Sequence, residues 1–183
     1  MTARSGRPFV FLDRDGTLVR DGGYVHRIEE YVLLPGVVEG LARLQTAGFA
    51  LAIVTNQSGI GRGLYTGAQF ETFQRHLVAD LARHGIVIER SFHCPHRPDE
   101  GCSCRKPAPG LIWRARDELG AALARSWLVG DAESDVGAAR NAACAGAVRL
   151  LPDASRESPE AAAVARDLPE AARIILAASA DLT

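Results

Sequence analysis

Two carboxylates one residue apart follow four apolar residues in Phe9-Val-Phe-Leu-Asp13-Arg-Asp15-Gly16-Thr17. Asp-Gly makes an ordinary turn. The same pair can also hold a hard cation such as Mg²⁺ and offer one substrate both a nucleophile and a proton donor. Side chains at i and i+2 of an extended segment share a side, so both carboxylates can face one ligand, and Gly16 lets the chain turn away beneath them. Three more polar signals sit at comparable places. Thr55 and Asn56 close the apolar run FALAIVT, Arg105 and Lys106 follow a cysteine-rich loop, and Asp131 and Asp135 follow SWLVG. Each taken alone also reads as a strand end, a solvated loop or a helix cap.

A second constellation is Cys94-x-His96-x5-Cys102-x-Cys104. Three thiolates and one imidazole complete the tetrahedral set of a structural Zn²⁺ site, with no open position. His93 competes for the imidazole role but reads as the end of a strand. Cys144, in AARNAACAGA, reads as a small buried apolar residue. Zinc in this loop would fix Arg105 and Lys106, which follow Cys104 directly, and would take no part in the chemistry.

The elements that must position these groups alternate. Near-continuous apolar runs at 8–12, 49–55, 87–93, 126–131 and 146–151 read as strands buried on both faces. Helical patterns fill the spaces: one ends at Gly48, one runs from Thr66 to Gly85, one from Pro109 to Gly120, and one follows Asp131. This alternation predicts an α/β fold with a central parallel sheet in one domain over 1–183. Residues 20–35 are too long for a tight connection and read as a flap over the site; 93–106 read as the zinc loop, and 152–183 as a helical tail.

Composition narrows the partners. Net charge is −1 and aromatic residues are 6%, which argues against a nucleic-acid surface. No apolar run approaches the ~20 residues of a membrane span, and no signal peptide is apparent. The expectation is a cytoplasmic protein, monomeric, acting on a small molecule.

The ordered set DRDGT (13–17), VTN (54–56), Lys106 in CRKP and GDAESD (130–135) resembles the haloacid dehalogenase-type phosphatase superfamily, over about residues 8–150. The resemblance implies a Rossmann-like three-layer sandwich without a large cap domain, and phosphoryl transfer. Asp13 would be the nucleophile, and Asp15 would protonate the leaving alkoxide and then activate water. Thr55 and Lys106 would contact the phosphoryl group. Mg²⁺ would sit on Asp13, the main-chain carbonyl of Asp15, and Asp131; Asp135 would hold a metal-bound water or cap its helix.

The cysteine loop is similar to that of the subgroup holding heptose-bisphosphate and histidinol-phosphate phosphatases. DGGYVH (21–26), TNQSGIGRG (55–63) and CRKPAPG (104–110) resemble the heptose branch. That branch implies removal of the C7 phosphate, with substrate contacts from Asp21, Gly22, Gly23, Tyr24, Thr55, Asn56, Gln57, Ser58, Arg105 and Lys106. Arg105 would grip the second phosphate. One departure stands out: Ala132 occupies a position where that pattern often has a basic residue. The alternatives are the histidinol-phosphate branch of histidine synthesis, and a zinc-loop binding module on an inactive scaffold.

Overall fold

A computed structural model of the chain describes residues 6–151, 161 and 163–180. Phe9–Leu12 (β1) is buried throughout. It pairs in parallel with Ala50–Asn56 (β2) on one side and Trp127–Gly130 (β4) on the other. Ile88–Cys94 (β3) extends the sheet beyond β2, and Gly146–Leu150 (β5) and Ala163–Ala165 (β6) extend it beyond β4. The spatial order is β3-β2-β1-β4-β5-β6, all parallel. The order reverses between β1 and β4, and the carboxyl end of such a junction is where open α/β sheets bind ligands. Asp13 leaves β1 there and Asp131 leaves β4.

Alternation along β1 divides the core. Val10 and Leu12 face Val37–Thr46 (α1), Gly67–Arg83 (α3) and Leu168–Ala180 (α6), together with Leu51, Ile53 and Val129. Phe9 and Phe11 face Gly110–Leu119 (α4) and Glu133–Asn141 (α5), together with Ala52, Val54 and Leu128. Strands covered on both faces must be apolar on both, which is why these runs do not alternate with polar residues. The three-layer sandwich is therefore as expected.

The helix boundaries follow local chemistry. Thr66 caps α3 by accepting from Gln69 N–H at 3.2 Å, while the Gln69 side chain accepts from Thr66 N–H at 2.8 Å. Gly120 ends α4 at φ 70°, a left-handed turn natural to glycine. A one-turn helix, Ser58–Gly61 (α2), follows β2.

Between β1 and α1 runs the segment expected to form a flap. Arg20 N–H donates to Val32 carbonyl at 2.9 Å and Leu34 N–H to Leu18 carbonyl at 2.9 Å, so the segment leaves and returns side by side. Tyr31 ties its far end to α3 by donating to Asp80 at 2.6 Å. Among the described residues no separate cap domain is inserted.

The expected helix of the tail is α6, but β6 precedes it, and residues 152–160, 162 and 181–183 of the expected tail lie outside the described residues. Ala-Val-Ala carries little strand signal of its own; pairing with Val148–Leu150 is what makes it a strand. No helix among the described residues is long and apolar enough to cross a membrane.

The last helix belongs to the core, since Ile175 is fully buried beside α1. Ile175→Ala is expected to lower unfolding free energy by about 2–5 kcal/mol in a urea titration. A loss within ~0.5 kcal/mol would mean that α6 is not part of the cooperative unit.

Candidate active site

The site is built around one buried ammonium. Lys106 is 3% exposed, and its Nζ lies 2.8 Å from Asp13 Oδ1 and 2.5 Å from Asp135 Oδ1. It also donates to the Val54 carbonyl at 2.8 Å. Its backbone is fixed by Asn56, whose Oδ1 accepts from Lys106 N–H at 3.0 Å and whose Nδ2 donates to the Lys106 carbonyl at 3.1 Å. Burial pulls the ammonium towards losing its proton, but the two carboxylates outweigh it and leave the pKa above the ordinary lysine value.

Asp13, Asp131 and Asp135 bring carboxylate oxygens within 4.8 Å of one another. Asp13 is aligned by its own N–H, which donates to the Val129 carbonyl at 2.9 Å. The Asp131 carbonyl accepts from Arg149 Nε at 2.9 Å. Asp135 turns back from the first turn of α5 and accepts from Ala132 N–H at 3.1 Å. A Cβ at Gly130 would run into the Asp135 carboxylate, and one at Gly16 into the Asp131 carboxylate. Both positions need glycine, and Gly16 also has φ +75°.

Three carboxylates against one ammonium leave excess negative charge in a half-buried place. The Asp131 pKa is pushed up to about 6 by burial, reinforced by Asp13 and Asp135. Burial also raises Asp135, with Lys106 opposing. An all-oxygen donor set under such repulsion suits a hard divalent cation. Asp135, expected at most to hold a water or cap its helix, is thus a full member of the acidic group, whereas the Asp15 side chain is not.

Asp15 points to a different set of partners. Arg14 Nε and Nη2 both donate to its carboxylate, at 2.9–3.1 Å. Gln57 Nε2 donates to Asp15 Oδ2 at 2.9 Å and to Thr55 Oγ1 at 2.9 Å. Burial raises the Asp15 pKa, with Arg14 opposing and Asp13 adding to the rise. Gln57, read from the sequence as a substrate contact, is buried and turned inward to these groups. Arg14 and Tyr65, which holds Gln57 Oε1 at 2.5 Å, were not singled out by sequence reasoning. Nothing in their spacing marks them; only burial does.

The other expected contacts have partners of their own. Asp21 accepts from Gly23 N–H at 2.8 Å in an exposed turn that includes Gly22. Tyr24 is exposed, at φ 55°, with its ring over Gly59. Ser58 opens α2. Arg105 Nη1 reaches the His96 carbonyl at 3.4 Å.

Cys94, His96, Cys102 and Cys104 converge with all ligand atoms within 4.8 Å. Sulfur–sulfur distances are 3.1–3.6 Å, and His96 Nδ1 lies 3.4 Å from Cys94 Sγ and 3.2 Å from Cys104 Sγ. Ligands about 2.3 Å from a central zinc would stand roughly 3.8 Å apart, so the cluster fits a tetrahedral ion with slight expansion. His93 is elsewhere, packed against Phe70 at 4.2 Å. The loop is joined to the site through main-chain bonds. Gln57 N–H donates to Cys94 carbonyl at 2.7 Å and Gly61 N–H to Pro95 carbonyl at 2.9 Å.

Comparison with known proteins identifies the family. A family model described as HAD-hydrolase-like matches residues 103–171. A D-glycero-beta-D-manno-heptose-1,7-bisphosphate 7-phosphatase from Escherichia coli O6:H1 (strain CFT073) is 42% identical over 161 residues, 84% of each chain. The chain belongs to the heptose-bisphosphate phosphatase family of HAD-like hydrolases. A family member from Pseudomonas aeruginosa is 40% identical over 75% of this chain and 78% of its own. The solved D,D-heptose 1,7-bisphosphate phosphatase from B. bronchiseptica, complexed with magnesium and phosphate, aligns with a TM-score of 0.83 and 34% identity, covering 93% of this chain and 98% of that one. As a family member the chain is a phosphoric monoester hydrolase.

The Asn56 clamp is the joint between β2 and the lysine loop. Asn56→Ala is expected to cost about 1–3 kcal/mol of stability, since both Lys106 backbone groups lose their partner. Thermal unfolding of the variant, showing no shift, would remove the clamp from the account.

Proposed function

We propose that this phosphatase removes the C7 phosphate of D-glycero-D-manno-heptose 1,7-bisphosphate, leaving heptose 1-phosphate for nucleotide-activated heptose synthesis. The observation that carries the reading is the Asp13–Lys106–Asp135 ion cluster beside Asp131, at the sheet junction, in a chain 42% identical to enzymes of that name.

Asp13 is the nucleophile. Its carboxylate forms an aspartyl-phosphate, which divides a difficult displacement into two steps. Lys106 holds Asp13 in place and balances the charge of the phosphoryl oxygens. Thr55, buried with its hydroxyl accepting from Gln57, is free to donate to the same oxygens. Asp15 gives a proton to the leaving oxygen and takes one from water in the second step; its raised pKa suits a group that must carry that proton. Asp13, Asp131 and Asp135, with the Asp15 carbonyl, make up the environment for Mg²⁺, which when bound supplies charge shielding for an anion attacking an anion. Arg105 is the residue for the second phosphate, where a guanidinium gives two-pronged recognition. Zn²⁺ on Cys94, His96, Cys102 and Cys104 is structural, holding Arg105, Lys106 and the start of α2 in place.

Phosphate release from heptose 1,7-bisphosphate and from histidinol phosphate tests the reading. Release from the heptose substrate is expected to need Mg²⁺, to stop with chelator, and to fall at least about a thousandfold in Asp13→Asn. Preference for histidinol phosphate would overturn the substrate and keep the chemistry. Release from neither would count against both.

The zinc role makes a separate expectation. Elemental analysis of the purified protein should find one zinc per chain, and Cys104→Ala should lose it and expose residues 94–104 to protease. Full zinc in that variant would contradict the ligand set.

A further inference from the structure

Arg14 is fully buried, and its guanidinium lies 4.8 Å from the ring centre of Phe73 and 5.4 Å from that of Phe70. Packing between two rings is served by an apolar side chain. A buried cation costs several kcal/mol unless it is well paired, so its partners indicate its purpose. Those partners are the Asp15 carboxylate, gripped through Nε and Nη2, the flap carbonyl of Val25 at 2.7 Å, and Gln57 Oε1 at 3.2 Å. Gln57 in turn holds Asp15 Oδ2, and Tyr65 fixes Gln57. The His26 ring of the flap stacks on Tyr65 at 4.7 Å, nearly parallel. Asp15 is therefore held by two side chains: Arg14 bonds the flap directly, and Gln57 meets it through Tyr65, on which His26 stacks.

We propose that Arg14 and Gln57 are positioning residues that set the direction of the Asp15 carboxylate for proton delivery, and that the flap is part of the scaffold that holds this direction. The inference rests on the reading of Asp15 as the proton donor. In the step concerned, an Asp13 oxygen forms the bond to phosphorus and the ester P–O bond breaks. The proton on Asp15 moves to the departing oxygen, leaving Asp15 as the carboxylate. A poor leaving group such as an alkoxide needs that proton. A nitrophenolate departs without it. A misdirected donor therefore slows alkyl esters selectively, while a merely loosened fold slows both kinds of ester.

The experiment measures the first step under single turnover, with an alkyl phosphate and with p-nitrophenyl phosphate. The variants are Arg14→Met, Arg14→Lys, Gln57→Met, Tyr65→Phe and Asp15→Asn. Arg14→Met is expected to slow the alkyl ester roughly 10–100-fold and the aryl ester by no more than about threefold, with half-saturation nearly constant. Arg14→Lys is expected to recover part of the loss, and Tyr65→Phe to show a few-fold effect of the same selectivity. Equal slowing of both esters, or no slowing of either, in Arg14→Met overturns the proposal. Circular dichroism and melting verify each fold, and should Arg14→Met unfold, the same ratio in Gln57→Met decides. Asp15→Asn separates the two levels. If it discriminates between the esters and the Arg14 and Gln57 variants do not, the positioning role alone fails. If it does not discriminate, the assignment of Asp15 falls and the proposal with it.

Discussion

One buried ammonium organises the carboxyl edge of this sheet. Lys106 is held by Asp13 from β1, by Asp135 from α5 and by the Val54 carbonyl of β2. Three elements far apart in sequence thus meet at one positive charge. Removing the lysine would leave its carboxylate partners uncompensated in a place with little water, and such a change is strongly destabilising. The cluster is not neutral as it stands. Asp131 adds a third carboxylate, and its pKa near 6 records burial and the repulsion of its neighbours. Such a set of oxygen donors suits a hard divalent cation.

The cysteine loop acts on the same cluster from the other side. Cys94 ends β3, and the main chain of 94–95 accepts from Gln57 and Gly61. Cys104 leads directly into Arg105 and Lys106. Asn56 then joins the lysine to β2. A loop with this little apolar content has few core contacts to hold it, so cross-linking by four ligands would supply the rigidity that hydrophobic packing cannot. The acidic cluster and the cysteine cluster thus meet the chain on either side of Lys106.

Much of this was legible in the sequence because chemistry and topology coincide. Asp13, Thr55, Lys106 and Asp131 stand at the ends of apolar runs or of a cysteine-marked loop, and parallel-sheet strands carry their functional groups at just those ends. The convergence of Cys94, His96, Cys102 and Cys104 was legible from spacing alone. What was not legible is what depends on burial. Arg14 carries no signal in its spacing, yet it is buried against Phe70 and Phe73. Gln57 reads as a substrate contact, yet Tyr65 and Asp15 draw it inward. Asp135 reads as a helix cap because i+3 capping has the same spacing; its pairing with Lys106 is visible only in three dimensions. β6 escaped notice because its strand character comes from β5 and not from its own residues.

Asp13, Asp131 and Asp135 around Lys106 form a site short of positive charge, one suited to a divalent cation. Calorimetric titration of Mg²⁺ into the protein and into Asp131→Asn tests it most directly. One Mg²⁺ per chain is expected, with affinity at least about tenfold weaker in a folded Asp131→Asn variant. Binding of equal affinity in the two proteins would contradict the claim.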